Sequence, residues 1–166
     1  MKPLVQQILE ATEGALKTPF ERRFYATERG YHGRFYCALQ ASLDRLADLP
    51  KEAILEMEYQ KSSRHGLAQR PDIVLHIPQT PGVSVDANNY AVFALKHSAS
   101  RKDAKADFKK LDEMCGTLNY QLAVFINVAS EAHHGDIYQG CWPERFCAFS
   151  LMLQQAGPVV QRFPPP

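Results

Sequence analysis

The sequence lacks the features that mark a membrane or secreted protein. It contains no run of about 18 consecutive apolar residues, the length that a transmembrane helix needs. Its first residues, Met1-Lys2-Pro3, lead into a stretch interrupted by polar residues rather than into the apolar segment of a secretion signal. We therefore expect a soluble, cytoplasmic protein with no membrane partner.

The chain also has little net charge. Its formal charge is +1 and its isoelectric point is about 7.7. Such a balance gives no overall attraction to nucleic acid, so any phosphate binding must come from a local basic surface. The length of 166 residues suits one domain over residues 1–166.

Cysteine is scarce, and no two cysteines form a CxxC pair. The four cysteines are Cys37, Cys115, Cys141 and Cys147. We expect reduced thiols in the core and loops. A zinc site built from Cys141 and Cys147 with His133 and His134 is the alternative, but these intervals match no common set of zinc ligands.

Hydrophobic periodicity predicts alternating helices and strands. Helices are predicted over residues 3–17, 20–49 and 101–114, with a bend or break near Gly30 and Gly33 and with Gly116 ending the last helix. Strands are predicted over residues 54–61, 72–77, 90–96 and 121–128, and residues 146–153 are predicted to form a strand or a short helix. The two strands around the third helix are expected to be parallel. Residues 154–166 are predicted to be an extended tail.

Two neighbouring apolar runs carry ionisable residues at their ends. Arg70-Pro71-Asp72 opens one run, and Ala94-Leu95-Lys96 closes the next. This pairing resembles the PD-(D/E)xK nuclease superfamily, in which an acidic residue on one strand is followed on the next by an acidic residue, any residue and lysine. The resemblance implies an α/β fold with a restriction endonuclease-like core, a mixed central sheet flanked by helices in the order α-β-β-β-α-β, and an extra N-terminal helix.

The resemblance also implies a set of catalytic residues. Asp72 matches the central metal ligand and Lys96 the lysine, Glu28 is the best match to a further acid on the preceding helix, and Glu58 is a weaker candidate ligand. The implied cofactor is Mg²⁺ or Mn²⁺, weakly bound. Each residue also has an ordinary structural interpretation, as a turn residue, a solvated strand end or a first-turn helix acid.

Ala94 stands where the superfamily has a metal-binding carboxylate. Three explanations remain open. The chain is a natural degenerate member that keeps the fold without cutting, the acid has moved to Glu58 or Asp86, or Ala94 is an introduced substitution. Natural degeneration and an introduced substitution both predict weak or absent cleavage of phosphodiester bonds, whereas a moved acid does not.

A basic stretch follows Lys96 and is the expected substrate-binding surface. The residues assigned to it are His97, Ser98, Ser100, Arg101 and Lys102, and Arg70 is assigned to the opposite wall of the same surface. We expect a metal-dependent nuclease-like protein that acts on DNA, or less readily on RNA. The alternative is a non-catalytic module of the same fold that binds nucleic acid, a partner protein or a second copy of the chain.

Overall fold

The computed structural model describes residues 2–57, 71–78 and 88–164. Within these ranges, six strands form one mixed sheet in the order β1-β2-β3-β4-β5-β6. The helices are α1 (Pro3–Lys17), α2 (Glu28–Leu43) and α3 (Arg101–Leu118), with a short 3₁₀ helix at Arg22–Tyr25. The strands are β1 (Ile54–Met57), β2 (Ile73–His76), β3 (Asn89–His97), β4 (Leu122–Val128), β5 (Phe146–Gln154) and β6 (Gly157–Phe163). The predicted mixed α/β architecture is therefore confirmed.

The central strands β3 and β4 are buried on both faces. Phe93 and Leu95 of β3 pack in the hydrophobic core with α1 and α2, whereas Val92 packs in a second core with α3. This division follows from the alternation of side chains along a strand. As predicted, β3 and β4 are parallel, and α3 connects them. No helix in the described ranges is long and apolar enough to cross a membrane.

The prediction of a helix over residues 20–49 with a break near Gly30 and Gly33 is wrong. Helix α2 runs without interruption from Glu28 to Leu43, with Thr27 as its N-cap. The Thr27 hydroxyl oxygen accepts a hydrogen bond from the Gly30 backbone N–H at 3.1 Å. Glycine lowers helix propensity by about 1 kcal/mol, which tertiary packing readily offsets. The buried side chains of Tyr31, Phe35 and Leu39 provide that packing.

Two further boundaries differ from the sequence prediction. Helix α3 does not end at Gly116 but continues to Leu118, because Leu118 extends the buried stripe and Asn119 adopts the left-handed conformation that closes the helix. Residues 154–166 are not merely a tail, since Gly157–Phe163 is strand β6, paired antiparallel with β5. The predicted end of the first strand, residues 58–61, lies outside the described residues.

The cysteines give a direct test of this packing. Cys115 and Cys147 are buried, and burial raises the pKa of each thiol to about 12. Cys37 and Cys141 are exposed. Because the thiolate is the reactive form, we expect Ellman's reagent to modify Cys37 and Cys141 in the folded protein and all four thiols after denaturation. A Cys37→Ser/Cys141→Ser control should lose the fast reaction. Rapid reaction of that variant before unfolding would contradict the described core.

Candidate active site

Asp72 lies at the point where β2 begins beside β3. Ile73 pairs with Phe93, and the Asp72 N–H donates to the Phe93 carbonyl at 3.2 Å, which places Asp72 opposite Ala94. Its Oδ2 accepts a hydrogen bond from the Leu95 N–H at 2.7 Å. The end of β3 therefore holds this carboxylate by its backbone.

The electrostatic environment of Asp72 combines opposing effects. Burial raises the pKa of its carboxyl group above the ordinary value of 3.8. The Leu95 N–H, His32 and Lys96 act in the opposite direction, and the negative charge of Glu28 raises the pKa further. The charges of Glu28, His32 and Lys96 therefore all contribute to the electrostatic environment of Asp72.

Asp72, Ala94 and Lys96 line one small cavity of about 50 Å³. Ala94 and Lys96 are two residues apart on β3, so their side chains leave the same face of the sheet. The carboxylate, the lysine and the position without a carboxylate thus meet at one place. The methyl group of Ala94 gives this cavity no oxygen atom that could bind a metal ion.

A fourth residue of the cavity, Asp107, was not identified from the sequence. Its side chain is 6% exposed, its Oδ1 accepts from Lys110 Nζ at 2.9 Å, and its Oδ2 lies 4.0 Å from Lys96 Nζ. Within the described ranges, Oδ2 makes no hydrogen bond. Asp107 is four residues before Leu111 and seven before Met114, both buried and both in the cavity wall. That helical spacing indicates that Asp107 shares the buried face of the helix, but the neighbouring lysines suggested a solvated face.

Glu28 approaches the site from α2, on the other side of the sheet. Its Oε2 accepts a hydrogen bond from the His97 N–H at 3.3 Å, and His97 Nε2 donates to the Tyr25 carbonyl at 3.1 Å. These bonds attach the start of α2 to the end of β3, directly after Lys96. The assignment of Glu28 as a metal ligand stays a prediction.

His32, one turn further along α2, is a second residue without a role in the sequence analysis. It is 9% exposed, and in the described part of the chain its Nε2 has no hydrogen-bond partner. Its charge acts to lower the pKa of Asp72. A buried nitrogen without a partner is unusual, and it leaves one polar group available beside Asp72.

Several predicted substrate-binding side chains form internal contacts. The Ser98 hydroxyl donates to the Ala129 carbonyl at 3.1 Å, and the Ser100 hydroxyl donates to Asp103 Oδ2 at 2.6 Å within the capping box of α3. Arg101 forms an exposed ion pair with Asp136 at 3.4 Å.

Lys102 is exposed and forms no ion pair with the other described residues. The predictions for Glu58, Arg70 and Asp86 lie outside the described residues.

The side chains of the cavity form a partial ligand set for a divalent cation. Mg²⁺ is usually held by one or two carboxylates, with water and substrate phosphate completing the shell. Asp72 and Asp107 line the same cavity, and Asp107 Oδ2 lacks a hydrogen-bond partner among the described residues. Over the described ranges, however, no group of three or more His, Cys, Asp or Glu residues is placed to hold a metal ion. Asp72 and Asp107 are thus the two carboxylates that this cavity offers to an ion.

Comparisons with known proteins yield one structural likeness. No family model and no curated protein sequence matches the chain. Among solved structures, the chain is similar to the cAAA-bound form of NucC from P. aeruginosa, with 14% identity and a TM-score of 0.43, over 99% of this chain and 85% of that one.

The raised pKa of Asp72 predicts a gain in stability when its charge is removed. A carboxyl group with a higher pKa in the folded state binds protons more tightly there, so its contribution to stability falls as pH rises from 3.8 through the folded pKa. We expect Asp72→Asn to unfold at a higher temperature than the unmodified protein at neutral pH. For a domain of this size each ~1 kcal/mol corresponds to about 2–4 °C. The gain should vanish in acid, where Asp72 is protonated in both the folded and the unfolded protein.

Asp103→Asn is the matched control, because the capping-box hydrogen bonds lower the pKa of Asp103. That variant should lose stability at neutral pH. A lower melting temperature for Asp72→Asn at neutral pH would show that the neighbouring cations favour the ionised form more than burial opposes it.

Proposed function

We propose that this chain is a nuclease-like protein whose Asp72 cavity binds a phosphodiester group of DNA, and that it cleaves weakly or not at all because position 94 lacks a carboxylate. RNA is the less favoured substrate. The observation that carries the proposal is that Asp72, Ala94 and Lys96 line the same cavity. In the PD-(D/E)xK pattern these are the positions of the central acid, the second acid and the lysine.

The charges around the cavity support phosphate binding. The side chains of Lys96 and Lys110 are 33% and 48% exposed, so both are partly accessible to a ligand. The buried carboxylate of Asp107 lies between them and compensates part of their charge. A phosphate oxygen entering the cavity would meet ammonium groups that are already held in place.

The same arrangement supports weak chemistry. A divalent ion at this cavity would supply activation of a water molecule and charge neutralisation on the phosphate. Asp72 and Asp107 are the residues that would hold it, and Lys96 would orient the phosphate. Because Asp107 is engaged with two lysines, it is a poorer substitute for the missing acid than a free carboxylate on β3.

A non-catalytic module is the second candidate function. Edge strand β1 exposes two large apolar side chains, Ile54 at 39% and Met57 at 40%. An exposed apolar edge is suited to pairing with another chain. On this account the fold serves assembly, and the cavity at Asp72 has only a structural role.

Restoring the missing acid separates the two candidates. We expect Ala94→Glu to gain Mg²⁺-dependent or Mn²⁺-dependent cleavage of DNA, measured as the conversion of supercoiled plasmid to nicked and linear forms. The added carboxylate would lie opposite Asp72 and complete the acidic pair. The gain over the unmodified chain should reach orders of magnitude, since each ~1.4 kcal/mol of transition-state stabilisation is a tenfold change in rate.

Ala94→Gln provides the matched control, because it has nearly the same size but cannot bind a cation as a carboxylate does. It should remain inactive, and so should Ala94→Glu combined with Asp72→Asn. Brisk cleavage by the unmodified chain that is lost on Asp107→Asn would instead show that the acid has moved to α3. If folded Ala94→Glu cleaves neither DNA nor RNA, the proposed catalytic ancestry of the cavity is wrong.

A further inference from the structure

Exposed arginines are concentrated around the start of α2. The segment of residues 21–34 contains four arginines and only two glutamates. We call Arg22, Arg23, Arg29 and Arg34 the arginine cluster; all of them are exposed.

The cluster is built on a well-supported platform. The guanidinium groups of Arg23 and Arg34 lie over the ring of Phe24, at 4.9 and 4.2 Å from its centre. Gly30 allows the 3₁₀ helix to pack closely, because a Cβ atom there would lie 2.7 Å from Thr27 Oγ1 and 3.4 Å from the Phe24 carbonyl oxygen. Two like charges are thus held beside one another on a fixed surface.

Hydrogen bonds attach this platform to the end of β3, the strand that carries Lys96 of the candidate active site. His97 contacts the Tyr25 carbonyl through its ring and Glu28 through its backbone N–H. His97 directly follows Lys96, which lines the cavity with Asp72. Tyr25, the residue after Phe24, therefore contacts the residue that directly follows Lys96.

The cluster also carries uncompensated charge. Among the described residues, Arg22, Arg29 and Arg34 form no ion pair, and only Arg23 does, with Glu21 at 3.0 Å. On α3, by contrast, Arg101, Lys109 and Lys110 each face a carboxylate. Lys102 and Lys105 of α3 also form no ion pair with a described residue. The arginine cluster adds three guanidinium groups on the α2 side that are unpaired within the described ranges.

We propose that the arginine cluster binds backbone phosphates of nucleic acid and leads the strand towards the Asp72 cavity. Guanidinium groups bind phosphate oxygens in a bidentate manner, and contacts of this kind position nucleic acid without reading its sequence. The inference deepens the proposed function and depends on it only for the choice of DNA as the partner. It does not depend on cleavage.

The test is the salt dependence of DNA binding by the full chain, measured by fluorescence anisotropy with a short labelled duplex in EDTA. Arg22→Gln/Arg29→Gln removes two charges that make no ion pair with a described residue. Each lost phosphate contact should lower the slope of log K against log salt by about 0.9, so the slope should fall by roughly 2 for this variant. Affinity at about 50 mM salt should fall several-fold or more.

Lys2→Gln/Lys51→Gln is the matched control, because it removes the same charge from the opposite end of the sheet. Lys51 precedes β1, whose first residue pairs with His76 at the end of β2 far from Asp72. Lys2 precedes α1, and Gln7 of that helix bonds to Asp48 near the same end, at 2.9 Å. This control should retain the slope of the unmodified protein.

Equal slopes for the two double variants would overturn the proposal, because the DNA contacts would then lie elsewhere. Binding to vesicles of phosphatidylcholine and phosphatidylserine that needs Arg22 and Arg29, with no binding to DNA, would also overturn it and indicate a lipid surface. Cleavage by Ala94→Glu with equal binding slopes would leave the proposed function standing and remove only this inference. Arginine-dependent binding of DNA together with an inactive Ala94→Glu variant would support this inference and remove the proposed function.

Discussion

The pairing between the start of β2 and the end of β3 determines the candidate site. A single backbone register, in which Ile73 faces Phe93, places Asp72 opposite Ala94 and lets the Leu95 N–H bind the Asp72 carboxylate. A shift by one residue would turn the β3 side chains to the opposite faces. It would also separate Asp72 from Lys96. The buried side chains of β2 and β3 oppose such a shift, so the hydrophobic core fixes the relative positions of the ionisable groups.

The second constraint is charge compensation inside the cavity. Lys96 lies on a strand that is otherwise buried, and the carboxylate of Asp107 approaches it from α3. Lys110 completes the group. This network explains how a strand without an acid at position 94 retains a partly buried lysine.

Positive charge near the cavity is divided unequally between its two sides. On the α3 side Arg101, Lys109 and Lys110 are matched by nearby carboxylates, and Lys102 and Lys105 form no ion pair with a described residue. On the α2 side only Arg23 of the arginine cluster has such a partner in the described ranges. The near-zero net charge of the chain conceals this local difference. A surface of this kind attracts polyanions at short range, within a Debye length of about 8–10 Å at ordinary salt.

The sequence was sufficient for the elements whose local pattern is strong. The parallel pair β3 and β4, helix α1 and the strand-end positions of Asp72 and Lys96 follow from apolar runs and from the helical period of Leu4, Ile8 and Ala11. Boundaries at Gly30, Gly33 and Gly116 were misjudged because glycine weakens a helix locally, while burial of neighbouring side chains stabilises it. The strand β6 was missed because its residues are only partly buried and are followed by proline, and β5 provides its pairing.

By itself, the sequence determined the order of the elements and which residues bear charge at the strand ends, because those properties depend on neighbouring residues along the chain. Only the tertiary structure decided that Asp107 from α3 and His32 from α2 approach the site of Asp72 and Lys96. Such contacts join residues distant along the chain, and the packing of helices on a sheet sets them. The helical spacing of Asp107 to Leu111 and Met114 is a weak local signal beside the neighbouring lysines, and the burial of Asp107 becomes evident only when α3 lies on β3.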